Sequence, residues 1–146
     1  MSLFRCPICG AVLTREERSY RCGKNHCYDI AKEGYTHLLP VQQKHSQNPG
    51  DDKAMVRSRR AFLSKDYYAP LRRQLEQLAL RYTPANGAVL DSGCGEGYYA
   101  RSIAGSFPGS RVMGVDLSRD GIRAAARKPG DVLWLVADLK QLPLAD

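Results

Sequence analysis

The stretch Asp91-Ser92-Gly93-Cys94-Gly95-Glu96-Gly97 constrains this chain more than any other. The apolar run Ala88–Asp91 leads into it and reads as a strand; a helix is expected from about Tyr98. Gly93, Gly95 and Gly97 let the backbone turn sharply between the two and bring N–H groups close to a ligand. The rest of the chain continues the alternation. Arg111–Asp116 (RVMGVD) and Val132–Val136 (VLWLV) read as further strands, with Tyr98–Ala104 and Ser118–Arg127 as the intervening helices. Strand–helix–strand–helix–strand implies a parallel sheet with right-handed crossovers, here in the order 3-2-1. The nearly continuous apolar character of these strands suits a sheet covered on both faces.

The spacing of the loop narrows its ligand. A dinucleotide turn usually reads G-x-G-x-x-G, which fits a pyrophosphate to the helix N-terminus. Here it is G-x-G-x-G, with Asp91 before the loop and Glu96 inside it. Two carboxylates are poor company for a pyrophosphate and are compatible with the cationic amino-acid end of S-adenosylmethionine (SAM). Asp116, at the end of the next strand, can accept hydrogen bonds from both hydroxyls of a ribose. NAD sites use such an acid too, so Asp116 supports a nucleoside cofactor without choosing between them. Asp138, just after the third strand, can meet an adenine amino group.

A second cluster sits at the front. Cys6-Pro7-Ile8-Cys9 is a C-x2-C knuckle, followed by Cys22, His26 and Cys27. Two such pairs can converge on one tetrahedral Zn²⁺, and the metal would supply much of the folding energy of so short a segment. Disulfides are the competing reading, disfavoured in a chain with no secretory signal, and the second pair argues against a redox C-x2-C. Spacing alone leaves either His26 or Cys27 as the fourth ligand. Tyr28, Ile30, Tyr35, Leu38 and Leu39 are expected to pack behind the knuckles as short strands, with His37 and His45 as surface residues.

The polar segment Gln42–Lys53 reads as a linker. Asp51 or Asp52 can cap a helix running to about Leu63, and a second helix is expected from Tyr68–Pro70 to about Tyr82. Its Leu71, Leu75, Leu78 and Tyr82 have the spacing of one buried face. The expected division is a zinc-binding domain over 1–41, a linker with helices over 42–84, and a SAM-binding domain over 85–146. No apolar run reaches the ~20 residues that span a bilayer, so a cytoplasmic address and no membrane partner are expected. Of the net charge of +7, residues 1–70 carry +5. A basic front half can attract a phosphate backbone, although a solubilising surface reads the same way.

Zinc knuckles followed by a SAM loop resemble the zinc-containing 23S rRNA (guanine-N1)-methyltransferases, which include enzymes modifying the macrolide-binding region of the ribosome. The resemblance runs through all 146 residues. It rests on CPIC and CGKNH, on YDIAKEGY at 28–35 with Leu38-Leu39-Pro40, on Pro49-Gly50-Asp51, on RRAFL at 59–63, on YYAPL at 67–71 and on VLDSGCGEGYY. It implies an α/β fold: a small N-terminal zinc-binding domain followed by the first part of a Rossmann-like class I methyltransferase domain. It also implies Cys6, Cys9, Cys22 and His26 as zinc ligands, leaving Cys27 out, and Tyr68 beside Gly95 and Glu96 at the cofactor. The implied partner is a 23S rRNA hairpin, with Arg57, Arg59 and Arg60 as candidate phosphate contacts; a solvated helix face explains these arginines equally well. A homodimer stays open. Ser92 departs from the aliphatic residue expected there, which softens strand packing.

The implied chemistry is in-line attack of guanine N1 on the sulfonium methyl, helped by proximity and orientation, with the base unstacked so that its Watson–Crick edge can be reached. Such a fold is expected to add four further strands, so the 146-residue chain alone is expected to be inactive and to bind SAM weakly. The strand Ala88–Asp91 is then expected at an open sheet edge. The competing function is a zinc-dependent RNA-binding module with a vestigial cofactor half; an NAD-linked enzyme ranks third.

Overall fold

A computed structural model describes residues 2–41, 47, 49–107 and 111–145. His45 and residues 42–46 and 48 of the polar segment lie outside the described residues, as does Asp146. The chain opens with strands β1 (Leu13–Arg15), β2 (Ser19–Cys22), β3 (Cys27–Asp29) and β4 (Tyr35–His37). Helices α1 (Lys53–Leu63) and α2 (Ala69–Tyr82) follow, then β5 (Ala88–Ser92), α3 (Tyr98–Ser106), β6 (Arg111–Asp116), α4 (Arg119–Ala126) and β7 (Val132–Val136).

Strands β1, β2 and β3 form an antiparallel sheet around the front cysteines, and the second sheet runs β4-β7-β6-β5. The parallel order β7-β6-β5 is the one expected from the sequence. The fourth strand is not. Tyr35–His37, expected behind the knuckles, pairs parallel with β7 in the register Tyr35↔Trp134 and His37↔Val136, and Leu38 N–H donates to Val136 O at 2.8 Å. The edge of β7 has backbone groups to satisfy, and the front segment supplies them. Strand β5 lies at the other edge, as expected.

Period-two alternation divides the sheet into two covered faces. Val112 and Gly114 of β6, and Val132, Trp134 and Val136 of β7, face helices α3 and α4, where Ala100, Ile103, Ile122 and Ala125 meet them. Met113, Val115, Leu135 and Ala137 face the other way and pack with Phe4, Leu13, Tyr20 and Leu38. The cysteine-bearing segment therefore shares a core with the parallel sheet.

Asp52 caps α1, its Oδ1 accepting from the N–H groups of Ala54 (2.8 Å) and Met55 (2.9 Å), one of the two caps expected. Helix α2 also forms where expected, but a different face meets the fold. Of the expected face only Leu75 is half-buried; Leu71, Leu78 and Tyr82 are 45%, 48% and 70% exposed. The face that approaches α3 carries Glu76, which accepts from the Ser102 hydroxyl, and Ala79, which packs on the helix-side core. That face is offset by one residue from the expected one and keeps the same helical spacing, so periodicity alone could not separate them. None of the described helices is long and apolar enough to cross a membrane.

Candidate metal centre and cofactor loop

Two tight turns bring the four expected metal ligands together. After Cys6, the chain folds back so that Gly10 N–H donates to Cys6 O at 2.8 Å, with Gly10 at φ +71°. Between β2 and β3, Cys22 N–H donates to His26 O at 3.0 Å and Asn25 takes φ +63°. Asparagine tolerates this left-handed conformation better than most residues.

The ligand atoms of Cys6, Cys9, Cys22 and His26 all lie within 4.8 Å of one another. Cys9 Sγ is 3.8 Å from Cys22 Sγ, and His26 Nδ1 is 3.5 Å from Cys6 Sγ and 3.3 Å from Cys22 Sγ. With Zn–S of about 2.3 Å and Zn–N of about 2.0 Å, a tetrahedron has S–S edges of roughly 3.8 Å and S–N edges of roughly 3.5 Å. The four residues fit a zinc ion. Cys27 is exposed and takes no part in the cluster.

Tyr28 is expected behind the knuckles, but its direct contact with a cluster thiol is not. Its hydroxyl lies 3.1 Å from Cys6 Sγ, placed to donate to a thiolate. Burial works to raise the Cys6 thiol, but the bonds from Tyr28 and from the N–H groups of Cys9 and Ile8 outweigh it and hold it at about 6. A thiol that ionises near neutral pH is ready to ligate.

At the end of β5, Gly93, Gly95 and Gly97 all take left-handed backbone angles, φ +81°, +54° and +75°. Two of the loop's N–H groups, those of Gly93 and Cys94, donate to Val115 O at 2.8 and 3.1 Å, which fastens the turn to β6. Asp116 completes the fastening. Its Oδ2 accepts from Gly95 N–H and its Oδ1 from Ser118 N–H, both at 2.8 Å. Under the loop lies Trp134, also missed at the level of sequence. A Cβ on either Gly97 or Gly114 would come within 3.0 Å of its ring, so both positions exclude a side chain.

The two loop carboxylates differ sharply. Asp91 Oδ2 is buried and has no hydrogen-bond partner among the described residues. Burial pushes the Asp91 carboxyl up; a backbone N–H bond opposes this and the nearby Asp116 charge adds to it. Such an orphaned oxygen suits a cationic ligand group. Glu96 is also buried, at 4% exposed, but its carboxylate is taken by the Arg60 guanidinium of α1 and by Lys128 Nζ at 3.5 Å. Its backbone carbonyl accepts from Arg101 Nη1 at 2.8 Å.

The remaining expected site residues are spread around the loop. Tyr68 is the residue before α2, and its exposed ring packs on Phe62 at 5.6 Å. Tyr99 neighbours both Tyr68 and Asp91, and its phenol is raised by burial and by those groups. Asp138 caps the turn after β7, its Oδ1 accepting from Lys140 N–H at 2.9 Å. Of the three expected phosphate contacts, Arg57 is exposed, Arg59 pairs with Asp51 at 2.9 Å, and Arg60 holds Glu96.

Comparison with known proteins agrees with both halves of this arrangement. Residues 4–47 match the family described as RlmA, N-terminal, a zinc ribbon, and residues 89–146 match a methyltransferase domain. The chain is 34% identical over 145 residues to the 23S rRNA (guanine(748)-N(1))-methyltransferase of Streptomyces fradiae, covering 97% of this chain and 51% of that protein. It is 32% identical over 152 residues to the putative 23S rRNA (guanine-N(1)-)-methyltransferase YxjB of Bacillus subtilis, covering 99% of this chain and 53% of the relative. The chain thus spans about half the length of the curated relatives it matches. The plantazolicin methyltransferase BpumL, solved in complex with SAH, superposes with a TM-score of 0.50 over 64% of this chain and 37% of its own, at 22% identity, which shows the fold. A cysteine–histidine cluster sharing its core with a parallel sheet thus stands where the RlmA N-terminal zinc ribbon and the methyltransferase domain match, and the chain is similar along nearly its whole length to proteins named as 23S rRNA (guanine-N1)-methyltransferases.

Proposed function

We propose that this chain is the cofactor- and RNA-binding part of a SAM-dependent methyltransferase that acts on N1 of a guanine in a 23S rRNA hairpin, in the cytoplasm. The observation that carries the cofactor reading is the orphaned Asp91 Oδ2 beside a turn of left-handed glycines. In this reading Asp91 accepts from the amino group of the cofactor's methionine end, and the backbone of Gly93, Gly95, Glu96 and Gly97 lines its path. Tyr68 closes the mouth of the loop. Asp116, whose carboxylate is already fixed by two N–H groups, turns its remaining lone pairs to the ribose hydroxyls, and Asp138 meets the adenine. SAM supplies an electrophilic methyl group on sulfonium; the protein's part is to hold it in line with the attacking nitrogen.

The ribbon, with zinc on Cys6, Cys9, Cys22 and His26, would take part in recognising the hairpin, and Arg57, Arg59 and Arg60 would reach its phosphates. The relatives' names carry the choice of rRNA guanine. A homodimer would place two such ribbons on one substrate.

Trp134, the chain's single tryptophan, lies under the loop and reports on binding. Titration with SAH is expected to change its fluorescence with saturation at one ligand per chain, while NAD leaves it unchanged. Saturable binding of NAD with indifference to SAH would overturn the cofactor reading. For the whole protein, transfer of a labelled methyl group from SAM to 23S rRNA, mapped to a guanine N1, tests the substrate.

A further inference from the structure

Between α1 and α4 lies a cleft of about 340 Å³ whose walls are mostly cationic: Lys53, Arg57 and Arg60 from α1 face Arg123 of α4 and Arg127 at its C-terminal cap, with Asp120 the single acid of the lining. The two helices are more than fifty residues apart in the chain. Two of the guanidinium groups are held from behind by acids, the buried Glu96 and the half-buried Glu33. Arg123 Nε donates to Glu33 at 2.8 Å, and Arg60 Nε donates to Glu96. Glu33 also lies 3.6 Å from Arg127. Both anchoring bonds use Nε, so the Nη donors of Arg60 and Arg123 have no partner among the described residues. With both anchoring acids and Asp120 counted, the cleft keeps a net positive charge.

We infer that this cleft holds the sugar–phosphate backbone of the RNA substrate. The inference rests on the rRNA reading above and adds Lys53, Arg123 and Arg127 to its RNA-binding surface. A planar guanidinium whose orientation is already fixed loses little entropy on binding, and its free fork matches two phosphate oxygens. The apolar lining is limited to Val56 and Ala124, too little for the core of a protein interface. Position matters as well. Arg60 joins the cleft to Glu96 of the glycine loop, so a backbone held between α1 and α4 runs beside the cofactor turn.

The test is the salt dependence of RNA binding by the full 146-residue chain, loaded with zinc, read by the anisotropy of a labelled RNA hairpin. Arg57→Gln, Arg127→Gln and the double variant are compared with Lys140→Gln, a matched removal of charge at an exposed site away from the cleft. Arg57 and Arg127 are exposed, and circular dichroism checks that the variants fold. The slope of log K against log salt is expected to fall by about 0.9 for each phosphate that the variant no longer neutralises, equally for hairpins of unrelated sequence. Lys140→Gln is expected to leave the slope unchanged. A wild-type chain that binds RNA with a slope the double variant retains would overturn the cleft and leave the rRNA reading standing. A wild-type chain that binds no RNA would overturn both.

Discussion

Replacing Gly97 with alanine tests whether the glycine loop and Trp134 form one packed unit. Gly97 sits at φ +75° and caps α3, and a left-handed alanine costs about 1–2 kcal/mol in backbone energy. The added Cβ would also fall within 3.0 Å of the Trp134 ring. That ring is 5% exposed and is flanked by Gly114, whose own missing Cβ leaves the space it occupies, so it has nowhere to retreat. Forcing a methyl group into such a contact costs about 1–3 kcal/mol. The expected loss is therefore about 2–5 kcal/mol, a large share of the roughly 5–15 kcal/mol that holds a domain together. Urea unfolding followed by far-UV circular dichroism measures it. The decisive comparison is Gly97→Ala in a Trp134→Leu background. Removing the indole leaves only the backbone part, so the same substitution should then cost roughly 1–2 kcal/mol. Equal costs in the two backgrounds, or a cost below about 1 kcal/mol in the wild type, would refute the claim that the ring dictates glycine at this position.

Asp91→Asn removes a buried charge with an unpartnered oxygen and should stabilise the ligand-free chain by about 1–3 kcal/mol at neutral pH while weakening SAH binding. Because burial raises the Asp91 carboxyl, its ionisation opposes folding above the raised value; the advantage of the asparagine should therefore shrink as pH falls and the wild-type acid takes up its proton. Thermal melts across pH 4–8 check the sign, and an advantage that grows on acidification would contradict it. At the metal centre, Cys22→Ser should abolish stoichiometric zinc and, because the ribbon shares a core with Met113, Val115 and Leu135, also lower the melting temperature of the parallel sheet. Cys27→Ser should leave zinc content and melting temperature unchanged; loss of zinc in that variant would show that the cluster is not the binding site.

What the sequence determined is what neighbouring residues can decide among themselves. The strands β5, β6 and β7, the glycine turn, the Asp52 cap and the approximate ends of α1 and α2 follow from periodicity, capping and turn chemistry within about ten residues. The knuckle spacing also singled out the candidate ligands that the fold brings together, leaving open only His26 against Cys27. The family resemblance chose His26, and the fold supplies the physical reason, because the β2–β3 turn aims the His26 ring inward and leaves Cys27 exposed. Tertiary structure decided everything that depends on what a surface meets. Tyr35–His37 carries no apolar run that marks it as a sheet strand; its place is set by the open edge of β7, about a hundred residues away. The pattern of α2 allowed two faces one residue apart, and contact with α3 selected the less apolar one. Asp91 and Glu96 look alike in the sequence as acids at one turn. They part because α1 brings Arg60 across a separation of 36 residues, and Lys128 approaches from beyond α4, to neutralise Glu96, while nothing described reaches Asp91 Oδ2. Burial and long-range pairing fix the character of a charge, and neither is written in its immediate neighbours.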